Sequence, residues 1–269
     1  QPYSHILKTD HFRETVLNMS RANIKFEELF TEKIERKIKR IDKEGFYGTP
    51  LRFQINRNLK KWISRYCPEN NAEILEVGCG EGQNIYNLKK RHKKAKFYGI
   101  DMAKNRIEFA KTKINDAIFS TQDGRKIEYK DNTFDIVFCR DVIHHMSTNR
   151  QKFIKEMLRV CKKNGKVILI ESNGQNILNN MFSILVKKES ELKNISKKYM
   201  INLLKKMKLK FSISHVEKHN LQRLIFHYNY GLNFLTKTNF GKLISDIINF
   251  MPALRGAKSY AYMIIEIQK

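Results

Sequence analysis

The chain has 269 residues, 41% hydrophobic and 29% charged, with a formal net charge of +25. That length suits one elaborated domain, and that apolar fraction can fill a core. No apolar run reaches the length a membrane-spanning helix needs.

The first stretch, residues 11–44, predicts one or two helices, with Ile24, Leu29, Ile34, Ile38 and Ile41 at helical spacing. Gly45 to Pro50 breaks that pattern, and Leu51 to Tyr66 reads as an amphipathic helix carrying Trp62. An alternating series follows: strand 73–77, helix 83–91, strand 96–100, helix 103–115, strand 117–120, strand 134–139, helix 149–162 and strand 166–171. Ser147 is the expected N-cap of the last helix, and Gly165 the expected turn residue after it. Strands alternating with helices predict a parallel sheet, with a ligand beyond the strands' carboxyl ends. From residue 174 the pattern changes. Ile177 to Val186 is apolar, and Lys187 to Lys210 carries nine lysines against two glutamates. Phe211 to Glu217 and Ser259 to Ile267 alternate like strands, and Leu221 to Pro252 is rich in Leu, Ile, Phe and Tyr.

The positive charge invites nucleic acid, an anionic membrane surface or an acidic substrate as partner. Lysine outnumbers arginine by more than two to one, however, and asparagine and isoleucine are also abundant. Codon composition produces such a bias, whereas specific phosphate and base readers lean on arginine's planar fork. Cys67, Cys79, Cys139 and Cys161 form no Cys-x-x-Cys pair and have no histidines at zinc spacing. They read as reduced thiols of a cytoplasmic protein, and no metal site is expected. Residues 1–20 lack a continuous apolar core, so no signal peptide is expected, although the chain starts at Gln1.

The chemistry concentrates in Ile74-Leu75-Glu76-Val77-Gly78-Cys79-Gly80-Glu81-Gly82-Gln83. An apolar strand runs into an acidic residue, then into Gly-x-Gly-x-Gly and a helix. Glycines there permit a tight turn and close approach of a ligand to main-chain N–H groups. Asp101 ends the next strand, at the spacing of a ribose-binding carboxylate. Glu76 at the mouth of the loop would repel a pyrophosphate and attract a cation. A sulfonium bearing a free α-amino group is such a cation, which points to S-adenosylmethionine.

This segment resembles the first motif of the class I S-adenosylmethionine-dependent methyltransferases. Three further stretches resemble the family in order: Gly99-Ile100-Asp101, Asp131 to Phe138, and Leu158 to Val167. Together they cover about residues 70–172. The resemblance implies an α/β fold: a Rossmann-like, seven-stranded, mostly parallel sheet with helices on both faces. To it the sequence adds an N-terminal helical lid (1–69) and a helical cap holding the sixth strand (175–258). The core is then 70–174, closed by a final strand at 259–269, antiparallel to its neighbours.

The resemblance also implies roles. Gly78, Cys79, Gly80 and Gly82 would hold the methionine part of the cofactor through backbone contacts. Glu76 would meet its amino group, Asp101 both ribose hydroxyls, and Met102 the adenine. Asp123, with Gly124, would meet the adenine amino group, and Arg140 leaves the fourth strand beside the methyl donor. Arg140-Asp141 replaces the Asn/Asp-Pro-Pro-aromatic signature of enzymes that methylate exocyclic amines, which weakens the nucleic-acid reading. His145 is the candidate base or orienting group. His144 should point elsewhere, since adjacent histidines on a helical turn diverge, and is kept as a substrate candidate with Tyr47, His227, Tyr228 and Tyr230.

The acceptor is expected to be a small or lipid-linked metabolite. Glu171-Ser172-Asn173 followed by an apolar helix is similar to enzymes acting on envelope glycans or isoprenoid-like acceptors. The product would be S-adenosylhomocysteine. A cytoplasmic location, peripheral to the inner face of the membrane, fits this reading. An RNA or protein methyltransferase using the basic surface stays open, as does an inactive cofactor-binding scaffold.

Overall fold

The computed structural model describes residues 64–66, 71–146, 148–180, 194–216, 221, 225–226, 232–250 and 260–269. All lie in the compact unit Tyr47–Lys269. The expected lid, apart from 64–66, and the candidates Tyr47, His227, Tyr228 and Tyr230 lie outside them.

Seven strands form one sheet: β1 (Glu73–Val77), β2 (Lys96–Asp101), β3 (Ile118–Thr121), β4 (Phe134–Arg140), β5 (Cys161–Ser172), β6 (Phe211–Val216) and β7 (Tyr262–Gln268). Their order is β3-β2-β1-β4-β5-β7-β6. The pairs from β3 to β5 are parallel, and β7 runs antiparallel to both β5 and β6. The central strands are apolar at successive positions because both faces are covered. Ile74, Leu75 and Val77 in β1 and Val167 to Ile170 in β5 are all buried.

Among the described residues, the strands are joined by the helices α1 (Gln83–Lys89), α2 (Lys104–Lys113), α3 (Arg150–Val160), α4 (Lys197–Lys206) and α5 (Asn239–Phe250). One face of the sheet, including Leu75, Val137, Leu169 and Ile265, packs with Phe153, Ile154 and Met157 of α3 and Met200 and Leu204 of α4. Truncating a core residue such as Phe153 to alanine costs about 3–5 kcal/mol by lost transfer and cavity energy. The lysine-rich stretch therefore has a core-facing side. Its helix is capped by Ser196, whose hydroxyl accepts from Tyr199 N at 3.0 Å.

Two local expectations are corrected. The residue that caps α3 is Asn149, at φ 63°, and its side chain makes no capping bond; Ser147 lies outside the described residues. Gly165 stands within β5, in the register shift between Phe134↔Cys161 and Ile136↔Lys166. What demands glycine there is space, because an added Cβ would sit 2.7 Å from the Asp135 carbonyl oxygen.

Candidate active site

The carboxyl ends of β1, β2 and β4, together with the amino end of α1, make the first half of the site. Gly78 and Gly82 both have φ 77°. A Cβ on Gly78 would overlap Val142, so glycine lets the turn after β4 close onto the turn after β1. The loop spends its own donors internally. Gly78 N and Cys79 N both donate to Ile100 O, at 2.7 and 3.0 Å, and Gly82 N donates to Cys79 O at 3.0 Å. Gly80 N donates to Asp101 Oδ2 at 2.9 Å. A ligand would therefore meet the loop's bare glycine surface and carbonyls more than the N–H groups of Gly78, Cys79, Gly80 and Gly82. At Gly80 the nearest atom to an added Cβ is the Arg106 guanidinium, 3.6 Å away. Cys79 is buried, and desolvation, followed by the nearby Glu76, pushes its thiol pKa well up.

Glu76 is 1% exposed. Its Oε1 accepts from Asn84 Nδ2 at 2.6 Å, and Oε2 has no hydrogen-bond partner. Asn84 Oδ1 in turn accepts from Arg140 Nη1 at 3.2 Å. Burial pushes the Glu76 pKa up to about 8, against the opposing pull of the Asn84 bond and the Arg140 charge. A buried carboxylate oxygen without a donor is costly, and a cation placed there would remove the cost. Asn84 was not anticipated. The sequence signal was its place one residue into α1, where a side chain reaches back to the end of β1.

Asp101 Oδ1 accepts from Ala103 N at 2.9 Å, so its carboxylate ties the two loops together. Each oxygen keeps a second lone pair for a further donor. Met102 is 64% exposed, so its side chain is no part of the core. Asp123 is held by the Arg125 guanidinium through both oxygens, at 2.8 and 2.9 Å, and its Oδ1 also accepts from Arg125 N. The bonds from Arg125 hold its pKa below the ordinary carboxylate value. Gly124 has a packing reason: a Cβ there would overlap Phe153 and Val77.

The second half of the site lies at the ends of β4, β5 and β7. Asp141 has φ 55°. Its oxygens accept from Ser172 Oγ at 3.0 Å and Tyr262 OH at 3.2 Å, and the Arg140 guanidinium stands 3.4 Å away. A 3₁₀ turn follows at Ile143–His145. Glu171, fully buried at the end of β5, accepts from Val142 N at 2.9 Å and Ile143 N at 2.6 Å through Oε1. Its Oε2 lies 2.8 Å from His144 Nδ1. Arg150 supports the turn from beneath, donating to Ile143 O at 3.1 Å and to Tyr199 OH at 2.8 Å.

The two histidines differ in exposure, although their ring centroids lie 4.0 Å apart at a tilt of 51°. His144 is buried against Glu171, away from a substrate-facing position, while His145 is exposed. Asp141, His144 and Glu171 also bring one ligand atom each within 4.8 Å of one another, a grouping the sequence reading missed. Glu171 meets it with both oxygens already hydrogen-bonded, so the group is built as a clamp.

Comparison with known proteins agrees with this geometry. A family model described as a methyltransferase domain matches residues 75–169. Phosphoethanolamine N-methyltransferase of Plasmodium falciparum is 27% identical over 116 residues, 42% of this chain and 43% of that one. Ubiquinone biosynthesis O-methyltransferase of Rickettsia prowazekii is 30% identical over 144 residues, 49% and 54% of the respective chains. The matches thus span about half the length of these curated relatives. Among solved structures, an S-adenosylmethionine-dependent methyltransferase from Aquifex aeolicus superposes with a TM-score of 0.55 at 18% identity, covering 87% of this chain and 98% of that one. A phosphoethanolamine N-methyltransferase of Haemonchus contortus in complex with S-adenosylmethionine gives 0.57 at 18% identity, covering 80% and 52%. Sheet order, glycine turn and family match agree: residues 75–169 match the methyltransferase-domain model and lie in a Rossmann-like sheet of the kind that S-adenosylmethionine-dependent methyltransferases have.

Proposed function

We propose that the chain is an S-adenosylmethionine-dependent methyltransferase acting on a small or lipid-linked metabolite. The observation that carries the reading is the unpartnered Glu76 oxygen, buried beside three left-handed glycines. An α-amino group fits that oxygen in charge and hydrogen-bonding sense. Asp101 offers lone pairs for a vicinal diol and exposed Met102 an apolar surface for a base, whereas Asp123 could accept from that base only by giving up a bond from Arg125. When bound, S-adenosylmethionine would supply an electrophilic methyl group on a sulfonium.

The chain's own contribution is alignment. The Glu171 clamp holds Val142 against Gly78, which fixes the turn after β4 beside the donor loop. That turn presents His145 to solvent, where its imidazole is a candidate to take a proton from the acceptor. Alignment alone supplies much of the rate when the nucleophile is already reactive. The relatives named for phosphoethanolamine and ubiquinone biosynthesis support a small-molecule acceptor, as oxygen, nitrogen or carbon. Cys79, Cys139 and Cys161 are buried free thiols, as suits a cytoplasmic site of action.

Calorimetric titration tests the donor half of the proposal. S-adenosylmethionine and S-adenosylhomocysteine should bind and NAD should not. Asp101→Ala should weaken binding at least tenfold, about 1.4 kcal/mol. Wild-type affinity in that variant would remove the assignment. Transfer of a tritiated methyl group to small-molecule, lipid or RNA fractions then identifies the acceptor class, and no transfer to any fraction would leave a cofactor-binding scaffold.

A further inference from the structure

We propose that the outer face of α5, with the turn before it, is a docking surface for an anionic lipid bilayer. Leu232, Phe234, Phe240, Leu243 and Ile247 all stand at least half exposed within one short stretch, whereas Met102, Ile118 and Ile177 are scattered. Phe240, Leu243 and Ile247 share one side of α5 at i, i+3 and i+7, a ridge about 10 Å long at 1.5 Å per residue. They are 61, 55 and 56% exposed. Gly241, Ser245 and Ile248 on another side of the same helix are buried. A helix anchored by one side would ordinarily turn a polar side to water. Here the outward side is apolar too.

Charge selects the occupant. Lys237 and Lys242 are exposed beside the ridge, and Asp246 is the single carboxylate between residues 232 and 250. The whole chain carries +25, so a second copy seated on this face would meet strong like-charge repulsion. An anionic bilayer accepts both features, with the ridge at the acyl boundary and the lysines among head groups. At 12 residues α5 is too short to span, and among the described residues no helix is long and apolar enough to cross a membrane. The helix would therefore lie in the plane of the interface. This deepens the proposed reading by favouring an acceptor carried in the bilayer, yet the docking itself stands on α5 alone.

The test is co-sedimentation of the full chain with vesicles of phosphatidylcholine, with and without phosphatidylglycerol, at low and high salt. Binding should require phosphatidylglycerol and weaken with salt. The charge-neutral triple variant Phe240→Ser, Leu243→Ser, Ile247→Ser should lose about tenfold or more in vesicle affinity while retaining its affinity for S-adenosylmethionine. A second measurement does not depend on that variant folding. In a Trp62→Phe background, tryptophan emission of Phe240→Trp should be quenched by lipids brominated in the acyl chain, and that of Ile118→Trp should not. Absence of wild-type binding to phosphatidylglycerol vesicles at low salt, or lack of quenching at position 240, overturns the proposal. Dimerisation of the wild type that the triple variant abolishes does so too. Calorimetry on the same samples separates the two readings: retained S-adenosylmethionine binding without vesicle binding sinks the docking surface only.

Discussion

Two buried glutamates end two strands of the same sheet, and their surroundings differ in one respect. Glu171 closes β5 with three donors on its carboxylate, two of them main-chain N–H groups. Glu76, one residue before the end of β1, has one side-chain amide on one oxygen and no hydrogen-bond partner on the other. Burial is nearly equal, at 0 and 1%. A carboxylate whose lone pairs are taken belongs to the structure. One kept short of donors belongs to a ligand, because only binding relieves its desolvation.

The sharpest way to break this comparison is Glu171→Leu, which strands three donors in the interior. It should lower stability by about 3–5 kcal/mol, and Glu171→Gln, which still offers an acceptor to the two N–H groups, by about 1–2. Urea denaturation reads both, and a leucine variant within ~1 kcal/mol of wild type would show that the clamp is dispensable.

Glu76→Gln should behave in the opposite way. Stability at pH 8 should hold or rise, while S-adenosylmethionine affinity falls at least tenfold, about 1.4 kcal/mol. The pH dependence sharpens the point. A folded pKa of about 8, above the ordinary 4.5, means that the folded state holds this proton more tightly than the unfolded chain. The stability it contributes is complete below pH 4.5 and is lost as pH rises towards 8. Cofactor affinity should run the other way, improving by roughly 20-fold between pH 6 and 7.5 as the carboxylate forms. Both slopes should be absent in Glu76→Gln. A flat affinity profile in the wild type would contradict the role given to this oxygen.

A smaller effect is expected at the exposed rim of the clamp. His145→Ala should slow methyl transfer about tenfold or more, within the range of general-base contributions, and leave cofactor affinity unchanged. Equal turnover would mean that alignment suffices. No effect is expected from EDTA, because Glu171 already takes three hydrogen bonds, one of them from His144, the nitrogen-bearing member of the group. Activity lost to chelation and restored by Mg²⁺ would reassign Asp141, His144 and Glu171 as ligands.

The sheet was legible from the sequence because its strands are short apolar runs punctuated by Gly-x-Gly-x-Gly, Asp101 and helix signals. The antiparallel β6 and β7 showed in their alternation at Phe211 and Ser259. What stayed hidden is long-range: Glu171 meets the turn after β4 across 28 or 29 residues, and Tyr262 reaches Asp141 across 121. No local pattern announces such partners. Asn84 was missed because an asparagine in a first helical turn looks like a solvated residue. Gly165 was assigned to a turn for its backbone freedom, whereas the register shift needs its lack of a side chain.

The position of β7 has a consequence for how the molecule is made. It is the last of the seven strands to be synthesised, yet it lies between β5 and β6. Until Tyr262–Gln268 is available, the apolar run Val167–Ile170 of β5 presents an unpaired edge, and β6 has no neighbour to pair with. A nascent or truncated chain ending before residue 260 would therefore expose a template for intermolecular strand addition. Quality control of this protein during translation should hinge on whether that last strand is delivered.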